Sequence, residues 1–273
     1  MKRFYLEITN ACNLNCPFCT NEKGQDFLSL EEIDNYTGQI KEFGDYIYLH
    51  VLGEPLLHPN FNEILDILDK KDFKLQLVTN GVLLNKYPNL FDHKCLRKLS
   101  ISIHSINNIE INDNYFKTID EILDKELNTI IELRFYDRNN LNDKLKNYLN
   151  TLYKKYNVLD TKKNNSFKLK DNVYIYFEEF FKWPNLNDDY ISNTGKCHGL
   201  IDQLAILSNG LVTSCCLDAK GINALGDLKK DSLKDILNSD LYKNALNDLR
   251  NNKLSLKLCG HCEYRLRFDH NNN

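Results

Sequence analysis

The chain has no surplus of basic residues: 35 Lys and Arg against 38 Asp and Glu leave a net charge of −3 over 273 residues. With a pI near 6.2 it lacks the concentrated positive surface that phosphate neutralisation requires, which excludes a general nucleic-acid binder. Runs such as Asp69-Lys70-Lys71-Asp72 interleave both signs and read as the solvated end of a helix. No N-terminal segment has the charged-then-apolar layout of a secretory signal, and no uninterrupted apolar run approaches the length of a bilayer span. There is no internal repeat or Gly-Ser linker, and low complexity is confined to the tail 271–273. These absences set the expectation of a cytoplasmic chain whose partners include neither nucleic acid nor membrane. What the chain does have is nine cysteines. In a reducing compartment, clustered thiols read as metal ligands rather than disulfides, and the odd count fits ligands plus spares.

A chain of this length can bury a large core, enough for one sizeable domain with a smaller one appended. Strand patterns fall at 4–9, 46–51, 74–79, 99–104, 129–136 and 173–177. Helix patterns fall at about 29–43, 61–70, 115–125 and 141–156, the first opened by a capping box of Ser29 with Glu32. Repeated strand and helix units imply a parallel sheet with right-handed crossovers, and about six units are fewer than the eight of a closed TIM barrel. Parallel strands covered on both faces read as continuous apolar runs, yet these alternate. Ile131, Leu133 and Phe135 face one way and Glu132, Arg134 and Tyr136 the other, and the pattern repeats at 46–51, 99–104 and 173–178. A face of hydroxyls, carboxylates, histidines and arginine is costly to bury dry, which favours a curved sheet or partial barrel with a polar lumen over an open sheet with one wet face. Residues 158–172 and 183–196 read as loops.

Directly after the first strand stands Cys12-Asn13-Leu14-Asn15-Cys16-Pro17-Phe18-Cys19. Three close thiolates can hold iron or zinc, and the C-x3-C-x2-C spacing leaves one metal position without a nearby protein ligand. An open position suggests chemistry; a zinc knuckle or a broken disulfide set is the alternative. The spacing, the aromatic before the last cysteine and the position after a first strand resemble the radical S-adenosylmethionine (SAM) enzymes. The resemblance implies that Cys12, Cys16 and Cys19 bind a 4Fe-4S cluster whose fourth iron chelates SAM. It implies a partial (β/α)6 TIM-like barrel of α/β class over 1–182, followed by a small domain over 183–273.

The same resemblance suggests SAM contacts. Gly53-Glu54-Pro55 after the second strand is similar to the family's glycine-glycine-glutamate-proline turn, which receives the SAM ammonium, although Leu52 replaces the first glycine. Phe18 stands where relatives place an aromatic against the adenine; ordinary core packing is the alternative. Asn80, in the turn Thr79-Asn80-Gly81, ends the third strand. Ser102 could meet the ribose, and His104 is expected to project with it into the lumen. Arg134 could pair with the methionine carboxylate, with an acidic substrate, or with a structural partner.

A second set follows: Cys197, a hairpin signal at 204–212, Cys215-Cys216 and Cys259-Gly260-His261-Cys262. The order resembles the SPASM and twitch extensions of radical SAM enzymes, a β-hairpin plus helix. One terminal C-x2-C looks like twitch, with one auxiliary 4Fe-4S cluster, so the resemblance implies Cys197, Cys215, Cys259 and Cys262 as ligands; four thiolates also suit structural zinc. Cys216 reads as a spare thiol, with an alternative ligand or a hydrogen-atom donor left open, and Cys95 as a core residue. His198 and His261 each have a thiol neighbour better suited to iron.

The function implied is reductive cleavage of SAM to a 5'-deoxyadenosyl radical that abstracts hydrogen from substrate, with flavodoxin or ferredoxin as reductant. The auxiliary cluster would accept the substrate electron, making oxidation of a small polar molecule the leading reaction. No individual catalytic residue is assigned. The first strand begins almost at Met1, which sets the expectation of no N-terminal leader-binding domain. Peptide modification by thioether formation or epimerisation, and a non-catalytic iron-sulfur or zinc module, are the alternatives.

Overall fold

Ser29 and Glu32 form the expected capping box, each side chain accepting from the other's backbone N–H, and the helix they open is α1, Leu30–Lys41. Its buried residues Ile33, Tyr36, Thr37 and Ile40 recur at the spacing of a single helical stripe. The computed structural model describes residues 3–20, 24–107, 114–158 and 165–269; the tail 271–273 lies outside them.

The chain divides into two compact units: one of Met1–Asn13, Pro17–Lys74 and Phe181–Asn273, the other of Leu14–Cys16 and Leu75–Phe180. In the first unit, β1 (Arg3–Leu6) pairs in parallel with β2 (Tyr46–Tyr48) on one side and with β8 (Gln203–Ile206) on the other, Phe4 lying opposite both Ile47 and Leu204. β8 turns back antiparallel into β9 (Leu211–Thr213), which pairs antiparallel with β10 (Gly226–Asp227). The turn between β8 and β9 needs Gly210, whose φ of 92° is left-handed. Phe4, Leu6, Ile8, Ile47 and Leu49 are buried with the apolar stripes of α1 and α2 (Phe61–Lys70). Helices α5 (Leu233–Asn238) and α6 (Asp240–Arg250) complete this unit.

In the second unit β3 (Lys74–Thr79, from Leu75 on), β4 (Leu96–Ser102), β5 (Ile130–Tyr136) and β7 (Val173–Glu178) run parallel, with β6 (Ser166–Lys170) antiparallel to β7. Helices α3 (Asn114–Leu123) and α4 (Asp143–Lys155) connect them; Asn142 caps α4 by accepting from Leu145 N–H. Residues 158–172, expected to be a loop, thus contain a strand: Phe167 and Leu169 are buried, and the surrounding lysines and asparagines mask this alternation. The part of that stretch at 159–164 lies outside the described residues. The segment 183–196 contains neither helix nor strand, as expected.

Three strands end earlier than expected, and β4 also begins earlier, at Leu96. β1 stops at Leu6, after which Thr9 makes an isolated bridge to Phe27; β2 stops at Tyr48; and β4 ends at Ser102. His104 lies in the 3-10 turn Ile103–Ile106, not on a strand, and is buried instead of projecting as a strand residue would. The alternation holds best in β5 from Ile131 on and in β7, whose apolar residues are buried and whose polar ones are half-buried. In β4 it fails, because Ser100 and Ser102 are themselves buried.

Candidate cofactor and iron-sulfur sites

In the first unit the cysteine loop is closed at its base. Leu28 N–H donates to Ile8 C=O (2.9 Å), Thr9 Oγ1 to Asp26 C=O (2.7 Å) and Asn10 Nδ2 to the Asp26 carboxylate (2.7 Å). Cys12, Phe18 and Cys19 are half-buried. The turn at Gly53 is brought against this base. Glu54 N–H donates to Ala11 C=O (2.8 Å), and Gly53 has φ of 73°, where a Cβ would lie 2.3 Å from Thr9 C=O oxygen. Only glycine fits that approach. Glu54 is buried and its carboxylate caps the 3-10 turn Pro55–Leu57 by accepting from Leu56 N–H (3.1 Å). Sequence reasoning missed Glu7, which is 3% exposed and binds Leu52 N–H (2.8 Å), Ser208 N–H (3.0 Å) and Ser208 Oγ (3.0 Å). Burial raises its pKa and the three hydrogen bonds oppose the rise. Leu52, the departure from the glycine pair, therefore has its N–H held by a buried carboxylate.

In the second unit Cys16 is buried and its thiol donates to Ser105 C=O (3.5 Å), in the turn just after Ser102 and His104. Asn80 accepts from Val82 N–H through its side chain (3.0 Å), while Tyr115 hydroxyl donates to its carbonyl (3.0 Å). His104 Nδ1 bonds Arg134 C=O (3.1 Å) and its ring stacks on Tyr136 at 3.6 Å; burial first, then the Arg134 cation, holds its pKa down to about 3. Arg134 is paired with Glu178, and its charged form is stabilised despite burial by that carboxylate. Lys98 and Ser100 both bond Glu132 (2.7 and 3.0 Å). The polar face of β4, β5 and β7 thus holds fixed, mutually neutralised pairs.

The later cysteines all lie in the first unit. The hairpin β8–β9 carries the chain into Cys215, and the 3-10 turn Lys257–His261 supplies Cys259 with Cys262 next to it. Burial, then the neighbouring thiols of Cys216, Cys197 and Cys259, pushes Cys215 well above the ordinary thiol range. Cys259 rises from burial and from Cys197 and Cys262. Thiols crowded into one buried place resist ionising until a cation joins them, and an iron-sulfur core supplies that cation; the donor set fits one. Among the described residues no three His, Cys, Asp or Glu side chains stand close enough to hold a single metal ion. Around a cluster the ligand sulfurs are spread more widely than around one zinc, because irons and sulfides lie between them.

Polar groups are already turned to these sulfurs. Gly199 N–H donates to Cys197 Sγ (3.3 Å) and Asn223 Nδ2 to Cys259 Sγ (3.7 Å), while Asn223 Oδ1 accepts from Leu258 N–H (3.1 Å). Asn223 is itself fixed by buried Asp218, which accepts from its N–H (2.8 Å). Neither residue announces itself in the sequence. Cys216 packs with Tyr5, Val51, Ala205 and Leu207 and shares a hydrogen bond with the Tyr5 hydroxyl; burial pushes its thiol up to about 11. Cys95 fills the core. The histidine rings bond elsewhere through Nδ1, His198 to Asp202 (3.1 Å) and His261 to Asp188 C=O (2.8 Å).

Comparison with known proteins agrees with this division of cysteines. Residues 6–131 match the radical SAM superfamily and residues 197–263 the iron-sulfur cluster-binding domain called SPASM. A probable GTP 3',8-cyclase of Methanococcus maripaludis is 30% identical over 115 residues, 40% of this chain and 39% of the cyclase. The antilisterial bacteriocin subtilosin biosynthesis protein AlbA of Bacillus subtilis is 33% identical over 118 residues, 40% of this chain and 25% of AlbA. The chain thus matches well under half the length of these relatives. Among solved structures, BtrN in complex with AdoMet and 2-DOIA superposes with a TM-score of 0.57 at 15% identity, covering 96% of this chain and 92% of BtrN. That likeness supports the α/β partial-barrel fold with a SPASM-type C-terminal domain. Among the described residues no helix is long and apolar enough to cross a membrane. A 4Fe-4S cluster with SAM, and an auxiliary iron-sulfur cluster, are the cofactors these two domains take, and the chain carries a radical SAM domain followed by a SPASM-type domain.

Proposed function

We propose that this chain is a radical SAM oxidoreductase acting on a small polar substrate, with 1–182 as the SAM domain and 183–273 as the auxiliary-cluster domain. Cys12, Cys16 and Cys19 would hold the first cluster, and Cys197, Cys215, Cys259 and Cys262 the second. When bound, the first cluster and SAM supply a 5'-deoxyadenosyl radical for hydrogen abstraction, and the second cluster supplies an acceptor for the substrate electron. The chain's own contribution is position. Gly53 lets the turn approach the base of the cysteine loop, Glu54 offers a buried carboxylate in that turn, and Phe18, Pro55, Asn80, Ser102 and Arg134 remain as the proposed SAM contacts.

The observation that carries the small-substrate reading is the polar face of β4, β5 and β7, where Glu132 and Glu178 are paired with Lys98 and Arg134. Pre-paired charges orient hydroxyl and amino groups without demanding a net charge on the substrate. Peptide modification is the second reading, supported by the identity to a bacteriocin biosynthesis protein. The test is turnover by anaerobically reconstituted protein with SAM and reduced flavodoxin or ferredoxin, against polyols, amino sugars and cysteine-containing peptides. The proposal expects 5'-deoxyadenosine in step with a two-electron-oxidised small product. Thioether formation in a peptide, or solvent deuterium gained without net oxidation, would overturn it.

A further inference from the structure

Arg265 is 2% exposed, and its Nε has no hydrogen-bond partner among the described residues. It lies in the 3-10 turn Glu263–Phe268, just after Cys262, and its own N–H bonds the Cys262 sulfur. Its Nη1 donates to Asp269 Oδ2 (2.8 Å), and Asp269 Oδ1 accepts from the N–H of Lys196 (3.0 Å), the residue before Cys197. Gly195 passes so close that a Cβ there would lie 2.0 Å from Nη1. The guanidinium is thus clamped where the two cysteine-bearing segments meet. Guanidinium has five N–H donors and cannot shed its proton. One carboxylate, a third exposed, does not use them all.

We infer that Arg265 is a positioning and tuning residue of the auxiliary centre, its buried cation favouring the cluster's reduced form and its unpaired Nε–H serving a cluster sulfur. This rests on the reading of Cys197, Cys215, Cys259 and Cys262 as cluster ligands. A cluster held by four thiolates is net negative, and each electron taken up adds negative charge. A fixed cation in a dry place therefore raises the reduction potential, as do hydrogen bonds to sulfur. Asp269 works against it by partly neutralising the same cation. A centre tuned upward in this way is suited to receiving one electron from substrate.

The test is a redox titration, followed by electron paramagnetic resonance, of the full chain carrying Cys12→Ala, Cys16→Ala and Cys19→Ala, with dithionite as the source of the single electron. The ligand reading expects about four irons per chain in this background, and a protein that takes up none removes that reading and the inference with it. In iron-loaded protein, Arg265→Gln is expected to lower the reduced-to-oxidised ratio at fixed ambient potential about tenfold, equivalent to about 59 mV for one electron. Arg265→Lys should recover most of the loss. Asp269→Asn retains an acceptor oxygen for Lys196 N–H and should shift the ratio the other way. If Arg265→Gln fails to load, the sign of the Asp269→Asn shift decides the matter. Fully loaded variants with the wild-type potential, or an Asp269→Asn shift downward, would overturn the inference while leaving the ligand assignment intact.

Discussion

The two cysteine sets are built by opposite means. Cys12, Cys16 and Cys19 lie within one octapeptide, on a loop whose base is closed by hydrogen bonds at 8–10 and 26–28. Cys197, Cys215, Cys259 and Cys262 are drawn together only because a hairpin, a pair of helices and a 3-10 turn fold between them. The thiols of the second set also perturb one another and receive N–H groups from Gly199 and Asn223. The first set is local and leaves a metal position open, which suits a cofactor that must bind and leave. The second is tertiary and already meets N–H donors from Gly199 and Asn223, which under the proposed function suits a centre that exchanges electrons.

That contrast can be broken most sharply at Cys16. Cys16→Ala should abolish 5'-deoxyadenosine formation and lower iron from about eight to about four per chain. Loss of all iron would mean that the sets are not independent. The reciprocal change, Cys259→Ala with Cys262→Ala, should give the same fall in iron and stop substrate turnover, yet leave SAM cleavage measurable by chromatography.

Gly53→Val probes the first set from outside its cysteines. With the Cβ directed at the Thr9 carbonyl and φ left-handed, a cost of about 1–3 kcal/mol is expected in urea denaturation, with weaker SAM binding. Asn223→Leu is the counterpart for the second set: it strips an N–H from Cys259 and leaves Leu258 N–H unpaired, a cost of about 1 kcal/mol or more. Faster iron loss to a chelator, confined to the second set, is the expected readout.

The smallest effect near neutrality concerns His104, in the turn whose Ser105 carbonyl accepts from the Cys16 thiol. Its folded pKa is depressed to about 3, so its stabilisation is intact above the unfolded value of 6.5 and is lost as the pH falls from 6.5 towards 3. Wild type should lose stability relative to His104→Gln by up to about 1.4 kcal/mol per pH unit in that window, measured on metal-free protein. An unchanged difference between the two proteins across that range would contradict the burial of a neutral ring.

Features governed by neighbours in the chain were legible in the sequence: the octapeptide, the capping box at Ser29, the alternation of β5 and β7, and the turn at Gly210 between two short strands. Features that depend on what folds against them were not. Glu7 reads as the polar side of an alternating strand but is buried, because Leu52 and Ser208 bring N–H groups to it from far along the chain. Asn223 and Arg265 look like ordinary surface residues until the later cysteines converge around them. The strand β6 escaped because its two lysines and the lysines and asparagines that flank it mask the two apolar residues that place it, and His104 because a strand pattern continued past the point where the backbone turns.

The most direct test of two unlike centres is electron paramagnetic resonance of the dithionite-reduced, fully iron-loaded chain with and without SAM. Two signals are expected, of which one shifts when SAM is added and disappears in Cys16→Ala, while the other is indifferent to both. A single signal, or two that respond to SAM together, would contradict the account.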